Sequence, residues 1–230
     1  MPPTSTRGGV LTNPAYYALS AAHAGLAETR GRVRLYPQEV GPFLGLPDDV
    51  TDQDWADAAA MLDAGQSVAL MRPDLPIPDT FTVDRRFDLI QFVAPESFGA
   101  DDPEAVVLGP EDVPEMLALT LLTEPGPFRP RTIEFGRYLG LRRDGELIAM
   151  GGERLRPPGY IEISAVCTHP DHRGQGLGTR LIRAVAAGIH QAGARPFLHA
   201  GGTNATAIRL YDSLGFTVTN QMSVTVIEKV

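Results

Sequence analysis

The plainest pattern in the chain is the apolar stripe of residues 179–191. Leu181, Ile182, Val185 and Ile189 recur there at helical spacing and fall on one side of a predicted helix that Gly193 terminates. Just upstream, Tyr160 to Thr168 reads as a long strand. Arg137–Leu141 and Leu147–Gly151 flank Arg143-Asp144-Gly145, the signature of a hairpin. Downstream, Phe197–Ala200 reads as a strand, Asn204–Leu214 as a helix and Phe216 onward as strand. Ala105–Leu108 is a short strand, and Glu111–Leu122 a helix ended by Pro125-Gly126-Pro127.

The first hundred residues are weaker. Asn13-Pro14 predicts a helix start, with an alanine-rich helix reaching Glu28. Arg32–Tyr36, Ser67–Met71 and Phe87–Val93 read as strands, and Thr51–Ala64 as a helix capped by Thr51. Residues 73–80 form a proline-rich loop, and Pro95–Pro103 a linker. Strands and helices alternate while hairpins interrupt them, so the fold class is α/β with a mixed sheet. No fixed-period repeat is visible.

Charge divides the chain. Residues 1–103 carry 15 acids and 7 arginines, whereas residues 104–230 carry 13 of each sign, so the net charge of −8 belongs to the first part. That asymmetry predicts two domains, an acidic α/β domain over 1–103 and a second over 104–230. A globally acidic chain lacks the basic face that phosphate contacts require, so nucleic acid is not an expected partner. Of the 20 basic residues only Lys229 is not arginine, which reads as compositional bias. The single cysteine, Cys167, excludes an internal disulfide and a cysteine-only zinc site. No apolar run reaches the ~20 residues that span a bilayer, and no signal peptide is visible, so a cytoplasmic protein without membrane partners is expected.

Between strand and helix stands His172-Arg173-Gly174-Gln175-Gly176-Leu177-Gly178. The first helical turn leaves backbone N–H groups unpaired, the helix dipole favours an anion, and the glycines let the backbone approach it closely. Arg173 adds a forked cation. The segment equally suits a plain tight turn. A nucleoside-triphosphate loop would need Gly-Lys-Ser/Thr, and no lysine is present. A dinucleotide fingerprint would need a glycine where Leu181 stands and an acid where Arg195-Pro196-Phe197 stand.

Arg173, Gly176 and Gly178 match Arg/Gln-x-x-Gly-x-Gly/Ala, and Asn204 to Phe216 matches Asn-x-x-Ala-x-x-x-Tyr-x-x-x-Gly-Phe at every fixed position. With both blocks in order, the chain from about Glu104 to Val230 resembles the GCN5-related N-acetyltransferases, the GNAT family. The resemblance implies the acyl-CoA N-acyltransferase fold and transfer of an acetyl group from acetyl-CoA to an amine. It implies pyrophosphate on the N–H groups of Arg173, Gly174, Gln175, Gly176, Leu177, Gly178 and Thr179. It implies a pantetheine arm paired with the backbone of Val166, Cys167 and Thr168, where two strands splay and a backbone N–H polarises the acetyl carbonyl. Tyr211 matches the general acid that serves the departing thiolate; the alternative is a core tyrosine. Asn204 and Ala207 fall where the family contacts the pantetheine arm, and Asn204 also suits a helix cap.

The amine must be neutral to attack, so a base or water is required. Glu162 is the first candidate by its place on the strand, Glu153 the second, and many relatives use neither. Cys167-x-His169-x-x-His172 has zinc-like spacing, but the resemblance puts it at a strand end where no metal is expected. Cys167 is not expected to carry the acyl group, because the family transfers directly in a ternary complex. His199 lines the acceptor side or is structural. The first domain suits a degenerate copy of the same fold, and its acids (Asp48, Asp49, Asp52, Asp54, Asp57) either attract a cationic amine or simply keep the surface soluble. The expected acceptor is a small-molecule or peptide amine, and a homodimer is possible. The competing class is a non-catalytic acyl-CoA sensor or interaction module.

Overall fold

A computed structural model describes residues 9–230. The extreme N-terminus, read above for a leader, lies outside the described residues in its first eight positions. Residues before 103 form α1 (Pro14–Leu19), β1 (Glu28–Arg30), β2 (Val33–Leu35), β3 (Leu44–Gly45), α2 (Asp52–Ala60), β4 (Ser67–Met71) and β5 (Phe81–Val93). There follow β6 (Val106–Leu108), α3 (Val113–Thr123), β7 (Tyr138–Arg143), β8 (Glu146–Glu153), β9 (Tyr160–Thr168), α4 (Leu177–Gln191), β10 (Arg195–Gly201), α5 (Ala205–Ser213) and β11 (Thr217–Lys229).

β1, β2 and β3 make a small antiparallel sheet, and the other strands one eight-stranded sheet in the order β4-β11-β5-β10-β9-β8-β7-β6. The parallel β9–β10 pair makes it mixed. The hairpin expected at Arg143-Asp144-Gly145 joins β7 to β8; Asp144 and Gly145 both take positive φ, 51° and 88°, as a two-residue primed turn demands. The apolar stripe of α4, extended by Leu177, lies fully buried on the sheet beside Leu139, Ile148, Ile163 and Phe216.

The sheet crosses the expected boundary at residue 103. β5 runs antiparallel between β11 and β10, and β4 pairs with β11, so the first part supplies two strands to the sheet of the second. Tyr36, Val40 and Phe43 share a core with Phe135, Leu155, Phe197 and Val224. The acidic part is therefore not built as a separate copy with its own complete sheet. Its acids serve locally. Asp54 caps α2 with Thr51 and binds Arg32 at 2.6 Å, Asp49 pairs with Arg32, Asp57 with Arg30, and Asp48 accepts from Asn13 and Tyr17.

The N-terminal helix is shorter than its alanine content predicts, ending at Leu19. The chain turns there and carries His23 into the core, against the Tyr36 hydroxyl at 2.8 Å and the Phe135 carbonyl at 3.0 Å. Asn13 does not cap the helix; its amide donates to the Leu46 carbonyl and to Asp48. Burial pushes the His23 pKa down to about 4. An unfolded histidine titrates near ~6.5, so the unfolded chain takes up the proton first as pH falls. Urea unfolding is expected to show stability falling by up to about 1.4 kcal/mol per pH unit from pH ~6.5 towards 4, and this loss should be absent in His23→Gln.

Candidate active site

The site begins with a strand that parts from one neighbour and bulges against the other. β9 and β10 pair only at Tyr160↔Arg195, Ile161↔Pro196 and Glu162↔Phe197, and beyond that they part. On the other side, β8–β9 register jumps from Gly152↔Ser164 to Met150↔Cys167, so Ala165 and Val166 together oppose Gly151. Ala165 takes φ of 52°, a left-handed conformation that a residue with a Cβ pays strain to adopt. Such a bulge re-aims the strand and frees backbone groups from the ladder.

The gap is a cleft of about 500 Å³. One wall is Ile163 to Thr168; the other includes His199–Gly201, Asn204, Ala207 and Tyr211. Arg173 and Gly178, around the start of α4, also line it, as do Thr123, Glu124 and Pro125 at the end of α3. Gly174 and Gly176 adopt φ of 77° and 74°, and the bond from Arg180 N–H to the Gly176 carbonyl opens α4. The N–H groups of Leu177, Gly178 and Thr179 therefore precede any helical partner. Leu177 has its side chain in the core, so only its backbone is available there, and Gln175 is exposed.

Of the expected residues, Val166, Cys167, Thr168, Arg173, Gly178, Asn204, Ala207 and Tyr211 line this one cleft. Gly174, Gln175, Gly176, Leu177 and Thr179 form the loop and first turn beside it. Tyr211 packs its ring 5.5 Å from Phe92 and 5.7 Å from Phe216, and burial raises its pKa, so it stays a protonated donor. It is a core tyrosine and a cleft tyrosine at once. Asn204 accepts the Ala207 N–H at 3.0 Å and so caps α5.

Glu162 is a different group from the base expected of it. It is fully buried, held by Arg154 at 2.6 and 2.8 Å and by His199 Nδ1 at 2.6 Å. Burial alone would raise its pKa; Arg154 and His199 reverse this and hold it well below the carboxylate range. A carboxylate so weakly basic and so fully engaged cannot take a proton from an amine. Glu153 is also buried, bound to Arg156 and to the Arg137 N–H. His199 donates from Nδ1 to Glu162 while its Nε2 meets the Gln91 amide at 2.9 Å, so both ring nitrogens are occupied. Arg154 carried no signal in the sequence, because its role comes from pairing with a residue eight positions away across the loop between β8 and β9.

Burial lifts the Cys167 thiol to about 11, which makes it a poor nucleophile. His169 accepts the Asp171 N–H, and no group of three metal-ligating side chains occurs among the described residues. Nor is any described helix long and apolar enough to cross a membrane.

Comparison with known proteins identifies the fold that carries this splayed strand pair and glycine-capped helix. The family model described as FR47-like protein matches residues 138–224. A putative GNAT-family acetyltransferase from Novosphingobium aromaticivorans has a crystal structure similar over 97% of this chain and all of that one, at 39% identity and a TM-score of 0.88. The chain therefore belongs to the GNAT family and is an N-acetyltransferase. A GCN5-related N-acetyltransferase from Kribbella flavida shares the fold over 94% of this chain and 95% of its own, at 20% identity and a TM-score of 0.62. The L-methionine sulfoximine/L-methionine sulfone acetyltransferase of Salmonella typhimurium is 43% identical over 65 residues, 27% of this chain and 37% of that relative.

Proposed function

We propose that the protein moves the acetyl group of acetyl-CoA directly to a primary amine in a ternary complex. The observation that carries this is the parting of β9 from β10 beside the bulge at Ala165, directly ahead of the glycine-capped α4. The amine nitrogen attacks the thioester carbonyl; the C–N bond forms as the C–S bond breaks. Backbone N–H groups freed by the bulge stabilise the developing oxyanion. Tyr211 donates to the departing sulfur, and since a thiol is more acidic than a phenol, a hydrogen bond to the thiolate suffices. The proton leaving the amine passes to water in the open cleft, since the buried carboxylates are engaged.

The pyrophosphate rests on the N–H groups from Gly174 to Thr179 with Arg173 beside them. Gly176→Val tests this. A β-branched residue is strained at φ of 74°, although a Cβ there meets nothing within 4 Å. The variant is expected to fold and to bind acetyl-CoA roughly tenfold more weakly by calorimetry, the equivalent of ~1.4 kcal/mol. Unchanged affinity would contradict the phosphate assignment.

A further inference from the structure

The coenzyme cleft continues into a second cavity of about 510 Å³, with Pro125, Arg154, His199 and Gly201 common to both. This cavity lies against β4, β11 and β5, with Phe43, Met71, Phe87, Leu89, Val224 and Val226 among its apolar lining. Phe87 is 44% exposed, an unusual amount for a phenylalanine on a strand. All three charged side chains that line the cavity are arginines, Arg85, Arg129 and Arg154, in a chain whose acids outnumber its bases by 28 to 20.

The three arginines are not equivalent. Arg154 is neutralised by Glu162 and stacks 5.3 Å from the Phe43 ring. Arg129 is half-buried and donates only to neutral oxygens, the Gln38 carbonyl and its Oε1. Burial lowers its pKa, and no carboxylate beside it opposes that effect. Arg85 projects from β5, opposite Val226, and is exposed. A partly desolvated guanidinium held against neutral acceptors is short of a counter-charge, and a carboxylate meets its fork with two charge-assisted bonds. A polycationic amine would be repelled by the same pair.

We propose that this cavity is the acceptor pocket and that it takes a small amine bearing an apolar body and a carboxylate, with Arg129 and Arg85 holding the carboxylate. The apolar body lies on the Phe43, Phe87 and Val226 surface, and the amine points to the His199–Gly201 junction where the two cavities meet. This rests on the acetyltransfer reading above and specifies its substrate class.

The test compares matched acceptors on the full chain with acetyl-CoA: L-leucine and L-phenylalanine, their carboxamides, and a linear polyamine. The free acids are expected to show kcat/KM at least about tenfold above the carboxamides, the equivalent of ~1.4 kcal/mol, although carboxamides have the more readily deprotonated amine. Arg129→Gln and Arg85→Gln should each narrow that preference, mainly through a raised KM for the free acids. Arg85 is exposed, so Arg85→Gln keeps the test available even where loss of the Gln38 contact unfolds Arg129→Gln. Equal or better turnover of the carboxamides or the polyamine, or an unchanged preference in a folded variant, would overturn the pocket assignment alone. Tight acetyl-CoA binding with no turnover of any amine would overturn the acetyltransfer reading as well.

Discussion

Replacing Tyr211 with Phe is expected to lower kcat on the order of a hundredfold, the lower end of what a positioned proton donor contributes. The acetyl-CoA dissociation constant should hardly move. The ring is fixed by Phe92 and Phe216, contacts that Phe keeps, so the substitution removes the hydroxyl alone. Initial rates with a competent amine, set beside calorimetry with acetyl-CoA, separate the two effects. Because burial raises the phenol pKa, the activity of the native chain should have no alkaline limb from Tyr211 at neutral pH. Full turnover by Tyr211→Phe would remove the phenol from the chemistry and leave it as packing.

Glu162→Gln is expected to damage stability rather than proton transfer. It leaves the Arg154 guanidinium, whose side chain is 12% exposed, without its counter-charge, and breaking such a pair costs about 3–5 kcal/mol. For a chain of this size that corresponds to a fall in Tm of roughly 6–20 °C. Replacing the pair together, Glu162→Leu with Arg154→Met, should lose much less, because an apolar replacement of both charges is often close to neutral. The acid side follows with the same sign. The folded carboxyl is held below its unfolded value, so its contribution is complete above the ordinary Glu range of ~4.3 and drains away as pH falls below it. An unchanged Tm would contradict this structural role, and loss of the acid limb of the rate profile in folded Glu162→Gln would restore Glu162 as the base.

What could be read in the sequence was whatever is encoded locally. The α4 stripe, the Asp144-Gly145 turn and the β9 strand each carry their determinants within a few residues, and the structure places β9 at Tyr160–Thr168 as read. Arg173 from the first family block and Asn204, Ala207 and Tyr211 from the second line one cleft, since each block is a strand-to-loop-to-helix or helix unit whose geometry is short-range. Long-range pairing was not legible. Phe81–Val93 shows only its apolar C-terminal end as a strand, because residues 82–88 are exposed and their register with β11 is fixed by a segment more than a hundred positions away. The place of Glu162 on its strand suggested a base, and nothing in the sequence pattern reveals that Arg154 and His199 engage its carboxylate. The same limit hid the sheet across residue 103: charge asymmetry reports surface composition, whereas strand order is set by core contacts such as those of Val93 with Phe197 and Val224.

Direct transfer requires that the acetyl group never rests on the protein. Intact-mass measurement of the full chain mixed with acetyl-CoA, before and after adding a competent amine, tests it most directly. Direct transfer predicts an unmodified protein mass at both stages, with free CoA appearing only once the amine is present. A mass gain of one acetyl group before the amine is added, with stoichiometric release of CoA and the label on Cys167, would contradict it.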